Sequence, residues 1–116
     1  MRTTIQTKKQ VEPKIYAYTL PAVASHEGWI KIGYTEREVQ VRVSEQVHTS
    51  GVDADILWHY AAEYTEDPDK GINFKDHDFH QFLKYHEVER KPRTEWFYFN
   101  GQPERAENLF HKFIRH

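Results

Sequence analysis

The hydrophobic and polar residues of the chain follow two kinds of pattern, which together predict a small α/β domain. Short runs of alternating or continuous apolar residues are typical of strands and lie at residues 14–20, 29–33, 56–64 and 94–99. Apolar residues three or four positions apart are typical of helices and recur over residues 36–48, 74–87 and from Pro103 onward. The predicted order of elements is therefore β-β-α-β-α-β-α.

Sequence signals mark where the three helices are expected to begin. Thr35 followed by Glu38 is a capping box for the first helix. Asn73 followed by Asp76 is a second helix start, and Pro103 suits the first turn of the last helix. The apolar faces of these helices are predicted core residues, namely Val39, Val43 and Val47, then Phe79, Phe82, Leu83 and His86, then Ala106, Leu109, Phe110 and Phe113.

The first two strands are expected to pair as a hairpin, because the turn-rich segment 21–28 joins them. Tyr16 and Tyr18 share one side of the first strand, and Tyr18 is expected in the core. In the second strand Lys31 shares a side with Trp29, since side chains alternate between the two faces. We therefore expect Lys31 among aromatic side chains, which is not the environment of an ordinary surface lysine.

The composition fits one globular domain of 116 residues, with 38% hydrophobic and 29% charged residues. Because the chain has no cysteine, a disulfide framework, a thiolate zinc site and a cysteine nucleophile are excluded. No apolar run approaches the roughly 20 residues that span a bilayer, so we expect a cytoplasmic protein without a membrane segment. The net charge of −2 gives no overall attraction to phosphate, although the segment 84–93 holds four basic residues.

The domain boundaries follow from the same patterns. Residues 1–13 are polar and lack periodicity, so we expect a flexible N-terminal arm before a domain that spans residues 14–116. The last predicted helix is still amphipathic at His116. We therefore expect the natural protein to be larger.

Several residues carry chemistry suited to phosphodiester hydrolysis, which needs an activated water, relief of charge on the phosphate and help for the departing oxygen. Arg42 offers a fork of donors that matches phosphate geometry. Glu95, a carboxylate in an apolar predicted strand, needs a partner such as a metal ion. Lys31 and Tyr16 are candidates for activating the water. The motifs that contain these residues are Lys14-Ile15-Tyr16, Lys31-Ile32-Gly33-Tyr34-Thr35, Arg42, Asp76-His77-Asp78-Phe79-His80 and Glu95-Trp96-Phe97.

This ordered set resembles the GIY-YIG nuclease superfamily and, through its Lys-Ile-Gly second motif, the phage T5-type branch of that superfamily. The match runs from Ile15 to about Phe99. It departs from the family's pattern at Lys14, where the first glycine stands, and at Lys31, which replaces the second tyrosine. The resemblance implies an α/β (α+β) fold with a small, mainly antiparallel central sheet flanked by three helices.

The resemblance also implies a metal-dependent endonuclease that acts on nucleic acid, DNA more than RNA, with one Mg²⁺ or Mn²⁺ ion. The family's roles assign metal binding to Glu95 and phosphate contact to Arg42. They place Tyr16 beside the nucleophile, and they make His80 a residue that orients the glutamate or touches the substrate. Tyr34 is a further candidate for substrate contact. Family domains are often attached to helicases or DNA-binding modules, which are therefore expected partners.

Three other interpretations stay open on the sequence. The chain could be an interaction module, for nucleic acid or protein, that kept the fold and lost cleavage. His77 and His80, with Asp76 and Asp78 nearby, could hold a separate zinc or iron ion. A hydrolase of small phosphorylated molecules would need a closed pocket.

The alternative for Arg42 is a purely structural role in a surface ion pair with Glu38 or Glu45. The nuclease hypothesis instead requires four residues to converge on one place, namely Tyr16, Lys31, Arg42 and Glu95.

Overall fold

Strand β1, Lys14–Thr19, lies inside a four-stranded antiparallel sheet. The computed structural model describes residues 12–115. The sheet order is β3-β1-β2-β4, and the other strands are β2 (Trp29–Thr35), β3 (Asp55–Ala61) and β4 (Trp96–Tyr98). The helices are α1 (Val39–Val47), α2 (Asp76–Tyr85) and α3 (Pro103–Ile114). The predicted α+β fold, its order of elements and its first hairpin are confirmed.

Most of the predicted arm, residues 1–11, lies outside the described residues. Its described end is joined to the sheet, because the Pro13 carbonyl accepts a hydrogen bond from the Ala62 amide at 2.8 Å. Whether the arm is dispensable stays a prediction.

The two faces of the sheet cover two separate cores. On one face, Ile15, Ala17 and Ile32 pack against helices α2 and α3. The helix residues buried there are Phe79, Leu83, Ala106, Phe110 and Phe113, as the helical periodicity predicts, while Phe82 and Leu109 are partly buried.

The second core is smaller and lies under helix α1. It consists of Tyr16 and Tyr18 from β1 with Val39 and Val43 from α1. Tyr16 and Tyr18 share this face because side chains alternate along a strand. The prediction that Tyr18 belongs to the core is confirmed, since its side chain is buried.

The predicted starts of the first two helices are wrong, for reasons that lie in the tertiary structure. Helix α1 begins at Val39, and Thr35 instead remains in β2, where its Oγ1 accepts a hydrogen bond from the Arg37 amide at 3.0 Å. Helix α2 begins at Asp76, because the Asn73 side chain donates to the Ala62 carbonyl at 3.1 Å rather than capping a helix. Pro103 is the first residue of α3, as expected.

Strands β3 and β4 are both shorter than predicted. Strand β3 ends at Ala61, and Ala62 bonds to Pro13 and Phe74 through its backbone instead. Strand β4 has three residues, so Glu95 precedes the strand and is not inside it. This placement puts the Glu95 side chain at the beginning of an edge strand, beside β2.

Gly33 lies where the ring of Tyr16 crosses the backbone of β2, and the two residues are register partners. A Cβ atom on Gly33 would lie 2.5 Å from Cζ of Tyr16 and would also overlap its hydroxyl oxygen. Tyr16 is 1% exposed and stacks on Tyr18 with ring centroids 6.1 Å apart, so it has little room to move. The glycine of the Lys-Ile-Gly motif therefore allows the motif tyrosine to pack.

Gly33→Ala is expected to destabilise the domain by about 1–3 kcal/mol, the usual range for overpacking a filled core. For a domain of this size, that corresponds to a fall of roughly 5–15 °C in the melting temperature. Thermal unfolding followed by circular dichroism measures the loss. In a Tyr16→Ala background the overlapping ring is absent, so Gly33→Ala should lower the free energy of unfolding only slightly further. An equal loss in both backgrounds would contradict this explanation.

Candidate active site

Glu95 lies at the junction of β2 and β4, where its backbone and side chain both contact β2. Its carbonyl accepts a hydrogen bond from the Ile32 amide at 3.0 Å. Its carboxylate forms an ion pair with Lys31, with 3.5 Å between Nζ and Oε1. The side chains of Lys31 and Glu95 are 18% and 33% exposed, so a substrate at the surface can reach both.

Helix α2 brings two further ligating side chains to Glu95. Asp76 and His80 are four residues apart, so they lie on the same side of the helix. One ligand atom from each of Asp76, His80 and Glu95 lies within 4.8 Å of the others. We call these three residues the acidic cluster.

His80 is fixed in one orientation by the sheet. Its ring is 4% exposed, and Nε2 lies 2.9 Å from the carbonyl oxygen of Ile32. Because a carbonyl only accepts hydrogen bonds, Nε2 carries the proton in neutral His80 and Nδ1 is left free as a ligand atom. Burial lowers the pKa of His80, against the hydrogen bond to Ile32 and the charge of Asp76, so the neutral ring is favoured.

The two carboxyl groups of the acidic cluster ionise at different pH values. Burial raises the pKa of Glu95 to about 7, and the hydrogen bond and charge of Asp76 add to this against the attraction of Lys31. Burial opposes ionisation of Asp76 as well. Its hydrogen bond with Glu95 and the charge of His80 nevertheless keep the pKa of Asp76 below its ordinary value. Asp76 is therefore ionised at a lower pH than Glu95.

Tyr16 and Arg42 lie on the face of the sheet that α1 covers. The Tyr16 hydroxyl is buried and makes no hydrogen bond within 3.5 Å in the described part of the chain. Burial raises the pKa of Tyr16, while Gln46 and Arg42 of helix α1 oppose the shift and Glu95 adds to it. Tyr16 thus feels the charges of both Arg42 and Glu95.

Arg42 is 41% exposed and forms a loose ion pair with Glu45, with 3.8 Å between Nη1 and Oε1. Glu45 also binds Arg37, whose Nη1 donates to Oε2 at 3.0 Å. The surface ion pair considered from the sequence is therefore present with Glu45. Exposed pairs of this kind contribute little stability, so Arg42 can leave Glu45 for a stronger partner.

The structure brings four of the six predicted site residues to one face and its edge. Lys31 is the register partner of Tyr18 and of Trp96, and Glu95 and Arg42 both act electrostatically on Tyr16 and Tyr18. A fifth residue, His80, reaches the same edge from the other side of the sheet through Ile32 and Glu95.

Tyr34 is not brought to this face. It packs against the core under α2 and α3, and its hydroxyl donates to Glu36 at 2.9 Å. Lys75 lies over its ring, with Nζ 4.8 Å from the centroid. Contact of Tyr34 with a substrate stays a prediction.

The sequence did not predict that Asp76 lies in the same site as Glu95. The alternative zinc or iron site considered from the sequence included Asp76 with His77, Asp78 and His80, but it was separate from Glu95. His77 and Asp78 are exposed, and Asp78 accepts a hydrogen bond from the Lys75 amide at 3.1 Å. Among the described residues, the group that could hold a metal ion is the acidic cluster.

The acidic cluster fits a divalent cation by its donor set. Two carboxylates and one imidazole offer mainly oxygen ligands, which suit Mg²⁺ and Mn²⁺. A cation would also offset the negative charges of Asp76 and Glu95, which lie close together. The expected single divalent ion is thus compatible with the residues present.

These features define the class of the protein as a small α+β domain with a carboxylate–imidazole cluster at the edge of an antiparallel sheet. The chain belongs to the T5orf172 domain family, whose model matches residues 15–116. This phage-associated domain is related to nuclease and GIY-YIG-like folds. No curated protein and no solved structure shows significant similarity to the chain. Within residues 12–115, no helix has the length and apolar character needed to cross a membrane.

Proposed function

We propose that this domain is a metal-dependent endonuclease of the GIY-YIG type that hydrolyses phosphodiester bonds of DNA. The observation that carries the proposal is the position of Glu95. Its carboxylate lies 3.5 Å from the Lys31 ammonium and within 4.8 Å of ligand atoms of Asp76 and His80. Two partly buried carboxyl groups this close together destabilise a fold unless a cation or a proton compensates them.

Asp76 and Glu95 would hold one Mg²⁺ or Mn²⁺ ion through carboxylate oxygens, with Nδ1 of His80 as the third ligand. When bound, the ion supplies positive charge that stabilises the phosphate and the departing oxygen. His80 keeps its ring orientation because the Ile32 carbonyl holds Nε2. The assignment of His80 as an orienting residue from the family resemblance therefore becomes a ligand role in this proposal.

Arg42 binds the non-bridging oxygens of the scissile phosphate. Its guanidinium is charged at any working pH and matches two phosphate oxygens at once. The phosphate replaces Glu45, whose pairing with Arg42 is loose and largely exposed. Arg42 then stands between the phosphate and Tyr16.

Lys31 and Tyr16 act on the attacking water. They lie on neighbouring strands and face the same side of the sheet, because Tyr16 is opposite Gly33 and Tyr18 is opposite Lys31. The Tyr16 hydroxyl has no hydrogen-bond partner in the described structure and is available to a water once Arg42 turns towards the phosphate. In this mechanism Tyr16 orients the water, and Lys31, which is paired with Glu95, is the candidate group that activates it.

The rival function is an interaction module that kept the fold without cleavage. The buried Tyr16 hydroxyl favours it, because a general acid or base is usually reachable from solvent. Against it, the acidic cluster keeps two carboxyl groups that binding alone does not need. A fused or associated helicase or DNA-binding domain stays a prediction under either function.

The test of the proposed function is nicking of supercoiled plasmid by the purified chain in Mg²⁺, in Mn²⁺ or in EDTA. We expect conversion to the open-circular form with either metal and none in EDTA, because the acidic cluster is complete only with a cation. A structured RNA of similar length serves as the competing substrate, and DNA is expected to be cut faster. Binding of DNA without cutting in either metal would favour the interaction module.

A further inference from the structure

A cavity of about 360 Å³ opens between the loop that joins β1 to β2 and the start of helix α3. We call it the loop cavity. Its walls are largely apolar and include Pro21, Ala24, Trp29 and Phe99. The polar side chains in the wall are Thr19, His26, Glu27 and Gln102. Sites for small organic groups have this character, with apolar walls and a few polar atoms that fix orientation.

One aromatic side chain, Trp96, connects the loop cavity to the candidate active site. His26, in its wall, contacts the ring of Trp96 with centroids 4.6 Å apart. Trp96 directly follows Glu95 and is the register partner of Lys31. Trp96 therefore connects the wall of the cavity to Glu95 along the chain.

A lysine stands beside the same cavity. Lys91 lies over the ring of Trp29, with Nζ 5.3 Å from the centroid. Burial lowers the pKa of His26 in the cavity wall, and the charge of Lys91 adds to this shift. Lys91 is held there by the sheet, because its amide donates to the Trp96 carbonyl at 3.0 Å.

Lys91 belongs to a basic turn that leads into the active site. Arg90 and Arg93 flank it, and Glu95 follows two residues after Arg93. This turn concentrates positive charge in a chain whose net charge is −2. Phosphate contacts dominate the affinity of proteins for DNA, so the turn is a suitable place for the backbone of a bound strand.

We propose that the loop cavity binds one base of the DNA strand next to the scissile phosphate, while Lys91 binds the phosphate of that nucleotide. The proposal rests on the proposed function, because it places the strand by its scissile phosphate at Glu95. A flat base fills an apolar slot beside Trp29 and His26 by stacking. A base inside a duplex reaches the cavity only by leaving its stack, so the domain should prefer single-stranded or distorted DNA.

The test compares two probes in EDTA, where no cutting occurs. One is a fluorescently labelled single-stranded oligothymidylate, and the other is an abasic oligonucleotide of the same length, which keeps the phosphates and lacks the bases. Fluorescence anisotropy of the wild type is expected to show about tenfold tighter binding of the oligothymidylate, the gain from about one stacked base. Equal affinities would overturn the proposal.

Ala24→Phe fills the loop cavity and should abolish the preference for bases. Ala22→Phe is the matched control, because Ala22 is exposed in the same loop but does not line the cavity. If Ala24→Phe does not fold, Gln102→Trp blocks the cavity from the other wall, where Gln102 is exposed. A folded blocking variant that still prefers oligothymidylate would overturn the proposal.

Lys91→Met should weaken the binding of both probes equally. It should also reduce the slope of log K against log salt by about one. Lys70→Met, an exposed lysine outside the cavity wall, should change neither. An unchanged salt slope in Lys91→Met would remove the assigned phosphate contact.

These measurements separate this proposal from the proposed function. A base preference that Ala24→Phe abolishes, in a chain that never nicks plasmid, would support the cavity and contradict the nuclease. Metal-dependent nicking without any base preference would support the nuclease and contradict base binding in the loop cavity.

Discussion

Glu95→Gln is expected to abolish metal-dependent nicking, with a loss of about a hundredfold or more, while the domain stays folded. The change keeps the shape of the side chain and removes the negative charge that would hold the cation. It also removes an ionisable group whose pKa is raised to about 7, first by burial and then by Asp76, so folding should not suffer. Calorimetric titration with Mn²⁺ should show one binding event in the wild type and none in the variant.

Glu89→Gln is the matched control for this substitution. Glu89 is exposed and lies six residues earlier, in the segment that pairs with β4. The same change of charge there should leave both Mn²⁺ binding and nicking at the level of the wild type. Loss of nicking in both variants would mean that overall charge, and not the acidic cluster, is responsible.

Arg42→Lys is expected to slow cleavage by about tenfold or more with metal binding intact. Lysine keeps the positive charge but lacks the planar fork that contacts two phosphate oxygens. Arg42 is not part of the acidic cluster, so the calorimetric titration with Mn²⁺ should be unchanged. Single-turnover rates at saturating Mn²⁺ measure the loss, because they report the chemical step without product release.

Arg37→Lys provides the control for Arg42→Lys. Both arginines pair with Glu45, so both substitutions disturb the same surface ion pairs. Arg37 is exposed and does not act on Tyr16, and its substitution should leave the cleavage rate unchanged. If both variants slow cleavage equally, the effect comes from Glu45 and not from a phosphate contact of Arg42.

The arrangement of strands and helices was predictable because most of this chain follows regular hydrophobic periodicity. The shared face of Tyr16 and Tyr18, and the core positions Phe79, Phe110 and Phe113, followed from periodicity alone. The starts of α1 and α2 were not predictable in the same way. Asn73 has the composition of a cap, but the carbonyl of Ala62, distant in sequence, captures its side chain.

The candidate site was predictable only where residues are neighbours on one element. Alternation along β2 indicated that Lys31 lies among aromatic residues, and its contact with Glu95 depends on the pairing of β2 with β4. Asp76 joins the site only because α2 packs beside the edge of the sheet where Glu95 lies. No local sequence pattern predicts that packing. The loop cavity is likewise formed by two segments far apart in sequence, the β1–β2 loop and the start of α3.

The most direct test of the account is single-turnover cleavage of an end-labelled DNA duplex over a range of Mn²⁺ concentrations, by the wild type and by Glu95→Gln. The proposed mechanism predicts a wild-type rate that rises with Mn²⁺ and saturates, because one site in the acidic cluster fills. It predicts that Glu95→Gln stays at the rate measured in EDTA at every concentration. A Glu95→Gln rate equal to that of the wild type would contradict the proposed metal site and would leave the family relationship as evidence for the fold alone.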